Sequence, residues 1–216
     1  GRINKGAAKI LFGKVYLTKG DFQKAKDKLA EVVEHESEYG FGLHKDYHAN
    51  WLRDTEAGIE AVLYIEYKEP PFQHNGEMAL AGPKYSIPGS LGISALNEAD
   101  IPTQELYDQF DNRDLRKKTN FKTEFAHLKT GEILKSSIPL SGKFWVEGLE
   151  TGDRCDVNMH IIRYADAILM YAEALNELGA STYQIPSWDG TQSYDISRDK
   201  NEMSYAISRV RIRGGV

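Results

Sequence analysis

Over the first 35 residues apolar positions recur at helical spacing and then break once. Ala8, Leu11, Phe12, Val15 and Tyr16 follow a 3.6-residue period. Gly20-Asp21 interrupts it, and Asp21 is a good N-cap for a second helix carrying Phe22, Ala25, Leu29, Val32 and Val33 on one face. The spacing predicts a helical hairpin over 3–35. Residues 36–157 lose this period. Within them Ala61–Tyr67 reads as a strand, Pro102–Phe110 as a short helix, and Thr119–Trp145 as two or three strands with turns at Thr130-Gly131 and Ser141-Gly142. The stretch from Pro70 to about Asp100 is a long loop, of the kind that is functional or disordered in compact domains. From about Asn158 to Leu178 the chain is apolar on nearly every face, which predicts a buried helix ending at Gly179. A partner helix over about 202–213 follows an irregular insertion at 180–201, giving a second helical pair over 158–215.

The first hairpin has the spacing of a tetratricopeptide (TPR) unit. Phe12-Gly13 stands at the Leu-Gly position, Tyr16 at the Tyr, and Ala25 and Leu29 at the Ala-x3-Phe, while Lys9 replaces the expected Trp. Tyr171-Ala172, Leu175 and Gly179 repeat the register in the second pair. Small residues at 13 and 25 let paired helices approach closely. Such a unit cannot bury its own face, and at least about three are needed for stability. The pattern starts and stops abruptly at Gly1 and Val216, so further repeats are expected beyond both. The expected architecture is mainly α, a single domain over 1–216, with helical hairpins and an irregular loop-rich portion holding a few short strands.

Composition narrows the function classes. Hydrophobic residues at 41% and charged residues at 27% fit an ordinary globule, and a net charge of -5 argues against a nucleic-acid groove. One cysteine, Cys155, permits no internal disulfide and reads as a small semi-buried side chain. No run approaches the ~18 apolar residues of a membrane span. No phosphate loop, nucleophile elbow or Cys/His pair is present, so no cofactor is expected; carboxylates are abundant, but no pair is singled out, which leaves a glycosidase open and unsupported.

Four groups of residues carry candidate chemistry. Arg163, Asp166 and Glu173 lie in the buried helix. They read as structural ion pairs, tied to Arg209, Arg211 or Arg213, because no nucleophile accompanies them. His44 and His48 have the spacing of a metal pair, but their surroundings are not helical and no HExxH occurs. They read as solvent-exposed, with no metal expected. The mixed-charge run Asp111–Lys118 reads as a solvated turn, with anion binding the alternative. Trp51, Phe72, Tyr85, Trp145 and Trp188 fall in or beside predicted loops. The C–H face of a sugar ring stacks on such planes, and His74, Asn75 and Asn97 lie near enough in sequence to hold hydroxyls. Trp51, Phe72, His74, Asn75 and Tyr85 are therefore the candidate ligand residues.

Three stretches together resemble one family. "GRINKGAAKILFGKVYLTKGDFQKA" opens a TPR helix pair. "IPTQELYDQFDNRDLRK" pairs a Pro-Thr-x-Glu helix with an Asp-x-Arg-Asp-x-Arg turn. "IIRYADAILMYAEALNELG" is followed later by "AISRVRIRGG". Their order and spacing resemble the central portion of the SusD/RagB family of nutrient-binding outer-membrane lipoproteins. The resemblance implies a surface protein, lipid-anchored through a Cys outside this sequence. It would bind an oligosaccharide or other nutrient without catalysis and hand it to a TonB-dependent, SusC-like transporter. A TPR-type protein-interaction scaffold is the alternative, and a glycan hydrolase a third. The hydrolase would need two carboxylates facing across a cleft.

Overall fold

The computed structural model describes residues 3–68, 75–180 and 201–216. In chain order the elements are α1 (Lys5–Thr18), α2 (Phe22–Val33), α3 (Glu36–Tyr39), β1 (Ala61–Ile65), α4 (Glu77–Ala81), α5 (Gln104–Gln109), α6 (Arg116–Asn120), β2 (Phe121–Ala126), β3 (Ile133–Ser141), β4 (Met159–Arg163), α7 (Tyr164–Glu177) and α8 (Glu202–Gly214). They divide between two compact units, one built from Gly1–Asp46, Ala57–Tyr64 and His160–Val216, the other from Tyr47–Glu56 and Ile65–Met159.

The first unit is the helical array. Asn4 caps α1 by accepting from the Ala7 N–H (2.8 Å), Asp21 caps α2 through Lys24 N–H, and Asn201 caps α8 through Ser204 N–H (2.8 Å). The chain leaves α8 through Gly215 in the left-handed region (φ 75°). α1 packs on α2, α2 on α7, and α7 on α8, so the two expected hairpins stack in series. One apolar cluster fills them, including Ile10, Leu29, Val32, Ile168 and Tyr171.

Two details differ from the pattern along the chain. The buried face of α1 is Gly6, Ala7, Ile10 and Gly13, while Leu11, Phe12 and Val15 are exposed. Ile10 fits this face, but at Gly13 α2 lies too close for a side chain. A Cβ on Gly13 would sit 2.5 Å from Leu29 Cγ. The second difference is at 158–163. The buried helix starts at Tyr164, and the preceding Met159–Arg163 is strand β4, paired with β1. A continuous apolar run fits a buried strand or a buried helix equally well.

Buried charges among the described residues of this unit meet opposite charges. Glu60, wholly buried, accepts from Arg163 Nη1 (2.7 Å), twice from Arg213 Nη1 (2.9 and 2.7 Å) and from His44 N–H (3.1 Å). Glu36 accepts from Tyr164 OH (2.8 Å) and Arg209 Nη2 (2.7 Å). Burial, then the Glu36 bond, pushes the Tyr164 hydroxyl well above the usual phenol range. Arg163 and the last helix are tied through Glu60 and Glu36, not through the Asp166 and Glu173 of the expected network. Asp166 instead accepts the Arg163 N–H (2.8 Å) at the start of α7. Glu173 is exposed, on the outer face of a turn whose Tyr171, Ala172, Ala174 and Leu175 are buried.

The second unit is irregular. β2 and β3 pair antiparallel, from Phe121 opposite Ser141 to Ala126 opposite Ile133, with a register shift between Lys122 and Glu124. Two small cores lie beneath its loops. One joins Ile87, Leu91, Leu96, Phe125 and Leu140; the other joins Met78, Cys155 and Val157. Cys155 is fully buried and its thiol is pushed up to about 11, chiefly by burial. α4 lies inside the stretch read from sequence as loop. No helix among the described residues is long and apolar enough to cross a membrane.

Candidate functional site

The second unit carries a cleft of about 530 Å³, a size typical of small-ligand sites. A first stretch of its lining is His48 and Trp51–Thr55, and a second is Gly142 and Trp145–Glu147, with Lys118 and Lys122. A short 3-10 turn over Tyr47–Trp51 starts the first stretch. Tyr47 is buried, and its hydroxyl donates to Asn120 Oδ1 (3.1 Å). His48 is exposed, with Nδ1 3.3 Å from Thr119 Oγ1. The second stretch follows β3 through Gly142, where a Cβ would lie 2.6 Å from the Thr119 carbonyl oxygen. Only glycine allows the chain to pass that close.

Two tryptophans line the cleft. Trp51 is 8% exposed and meets Tyr47 and Phe144 edge-on, at 6.3 and 5.7 Å between ring centres. Trp145 is half-buried and meets Phe125 edge-on at 4.7 Å. Its indole Nε1 is buried with no acceptor among the described residues. Each indole also has an ammonium near its ring, Lys143 at 4.9 Å from Trp51 and Lys122 at 5.9 Å from Trp145. Lys122 is bonded in turn to Glu147 (3.0 Å). The base of the first stretch is anchored by Glu56, 5% exposed, whose Oε2 accepts the Asn158 N–H (2.8 Å). Burial pushes the Glu56 carboxyl up to about 7 against that bond, with Asp156 raising it further and Arg53 opposing. Arg53 itself pairs with Asp156 (2.5 Å).

A separate feature of this unit presents Tyr85. The ring is 75% exposed, with Lys84 Nζ 5.2 Å from its centre. The backbone beneath is held hard. Glu98 Oε2 accepts the N–H groups of Lys84 (2.6 Å), Tyr85 (2.6 Å) and Ser86 (2.9 Å). Burial raises the Glu98 carboxyl, but the three N–H bonds together hold it below the usual carboxylate range. Ser86 O accepts from Ser137 N–H (2.9 Å), and Ile87 anchors the loop in the core. Glu98 (φ 52°) and Ala95 (φ 57°) both adopt left-handed backbone that non-glycine residues rarely keep. Such strain persists only where surrounding contacts over-determine it.

The sequence candidates separate accordingly. Trp51 lines the cleft, and Tyr85 stands on its clamped loop. Asn75 is 2% exposed; it donates to the Val157 carbonyl (2.9 Å) and accepts from Glu77 N–H (2.8 Å), so its amide holds the chain together. Phe72, His74 and Trp188 lie outside the described residues. Lys118, Lys122, Lys143 and Glu147 were not singled out, because only the β2–β3 pairing and the return at Gly142 bring them beside Trp51. Lys118 is nonetheless the last residue of the mixed-charge run that sequence reading flagged. No group of three or more His, Cys, Asp or Glu among the described residues is arranged to hold a metal ion.

Known proteins share this architecture. The sequence profile of the SusD family matches residues 139–216. The SusD-like protein P2 of Formosa agariphila is 27% identical over 209 residues, covering 86% of this chain and 40% of its own length. The crystal structure of a SusD superfamily protein from Parabacteroides distasonis superposes over 100% of this chain and 45% of its own, with a TM-score of 0.77 and 23% identity. Surface glycan-binding protein A from Bacteroides thetaiotaomicron, solved with laminarihexaose, superposes over 100% of this chain and 48% of its own, at TM-score 0.70 and 16% identity. The chain therefore spans less than half the length of these relatives.

Proposed function

We propose, from the resemblance of this chain to the SusD/RagB family, that its protein binds an oligosaccharide or another nutrient at the cell surface. In this reading it sits at the outer membrane through a lipid anchor outside this chain. It delivers its ligand to a TonB-dependent, SusC-like transporter and catalyses nothing. The observation that carries the reading is the cleft lined by both Trp51 and Trp145. Indole planes take up the apolar face of a pyranose ring, and Asp54, Thr55 and Glu147 offer partners for its hydroxyls. Tyr85, exposed on its clamped loop, serves as a further stacking plane. The laminarihexaose held by the Bacteroides thetaiotaomicron protein supports an oligosaccharide as ligand. A hydrolytic reading fits the cleft less well. Glu147 is exposed and bonded to Lys122, whereas a general acid of a glycosidase sits in an apolar, uncompensated pocket.

A protein-interaction scaffold remains the second reading, favoured by the exposed Leu11, Phe12 and Val15 on α1. Affinity electrophoresis of the full-length protein through a panel of polysaccharides separates the two. The glycan reading predicts retardation by at least one polysaccharide, weakened by Tyr85→Ala and by Trp145→Phe. Phe12→Ser and Val15→Ser should leave it unchanged. No retardation in any gel, together with capture of a peptide that those two α1 variants abolish, would overturn it.

A further inference from the structure

We propose that the cleft selects a glycan bearing negative charge, a carboxylate or sulfate ester on the sugar, with Lys118 and Lys122 as its anion partners. This rests on the oligosaccharide reading above and sharpens it. The chain as a whole is acidic, at -5, yet the charge around the cleft runs the other way. Arg53, Lys118 and Lys122 line it, and Lys143 lies over the Trp51 ring. An adjoining cleft of about 440 Å³ shares Lys118 and Lys122 and adds Lys117 beside Tyr107 and Phe121.

The acids lining the two clefts are Asp54, Glu147 and Glu124. Two of them are already engaged, Glu147 with Lys122 (3.0 Å) and Glu124 with Lys135 (3.2 Å), which lies outside both linings. Lys117 Nζ donates to neutral oxygens, the Phe110 carbonyl (2.9 Å) and Asn112 Oδ1 (3.1 Å). Lys118, shared by both clefts, has no carboxylate within ion-pair distance among the described residues. Lys118 thus keeps charge that no described carboxylate neutralises, and Lys122 stands in the same lining with its one printed acid, Glu147, exposed.

A neutral sugar gives that charge nothing to bond. An anionic one forms charge-assisted hydrogen bonds, stronger than those to a hydroxyl, while its ring stacks on the indoles. Lysine suits the task because it is a point charge on a flexible stem and imposes no fork geometry on the anion. Groove walls of low dielectric also focus the field outward and speed capture.

The test is calorimetry on the full-length protein with two matched pairs. One pair is an oligogalacturonide and its carboxyl-reduced, neutral counterpart; the other is a sulfated oligosaccharide and its desulfated form. The proposal expects one acidic ligand to bind about tenfold more tightly than its neutral partner, and the pair that shows it identifies the anion. That advantage should shrink between about 20 and about 200 mM salt as screening grows. Lys118→Gln, an exposed position that tolerates change, and Lys118→Gln with Lys122→Gln should bring acidic affinity down to the neutral level. The loss of acidic affinity should exceed any change in affinity for the neutral partner. Equal affinity within both pairs, or a preference that survives the double variant, would overturn the proposal while leaving oligosaccharide binding in place. Absence of binding to all four ligands and to every polysaccharide of the panel would overturn both.

Discussion

The two units of this chain handle charge in opposite ways. In the helical unit, Glu60 is wholly buried and bonded to both Arg163 and Arg213. In the loop-rich unit, lysines stand at the surface over aromatic rings, Lys143 at Trp51, Lys122 at Trp145, Lys117 at Tyr107 and Lys84 at Tyr85. Buried pairs fix an arrangement, since removing one partner strands the other in low dielectric. Ammonium groups near the surface, screened by solvent, fix little. One unit is a scaffold and the other is where recognition is expected.

The largest effect should come from breaking the scaffold. Glu60→Ala leaves Arg163 and Arg213 without their acid and should cost about 3–5 kcal/mol in urea unfolding. Gly13→Ala should follow, at about 1–3 kcal/mol, because its Cβ meets Leu29 at 2.5 Å in a packed interior.

A third change has the reverse sign. The Glu56 carboxyl is raised in the folded state to about 7, so the folded protein holds its proton more tightly than the unfolded chain. Its contribution is most favourable below the unfolded value of about 4.5 and declines as pH rises towards 7. Glu56→Gln should therefore stabilise the protein above pH 7, by about 1–3 kcal/mol, with the gain fading in melts run below about pH 4.5. The same melts at pH 5 and 8 expose an error in this sign at once.

The smallest effect on stability, and a clear one on binding, belongs to Tyr85→Ala. An exposed ring should cost less than about 0.5 kcal/mol in folding. Losing one stacking plane of about 1 kcal/mol should weaken glycan binding about fivefold in the affinity gel.

The difference between the units also explains what the sequence revealed. α1 and α2 were legible because periodicity, the Gly20-Asp21 break and the TPR spacing agree. Their packing direction was not, because Leu11, Phe12 and Val15 outweigh Ala7 and Gly13 by size while at Gly13 α2 lies too close for a side chain. β4 was hidden in a run whose apolarity suits either structure. The cleft was half visible. Trp51 and Trp145 stood out as loop aromatics, but their shared cleft depends on β2–β3 pairing and a glycine passage at 142. Glu60 gave no signal at all, since its partners lie 103 and 153 residues away.

The most direct test of this division is hydrogen-exchange footprinting of the full-length protein with and without a bound oligosaccharide. The account predicts slowed exchange at 47–56, 83–98, 116–123 and 142–147, with the helices at 5–33 and 164–177 unchanged. Protection confined to those helices, with the loop-rich unit unaffected, would contradict it.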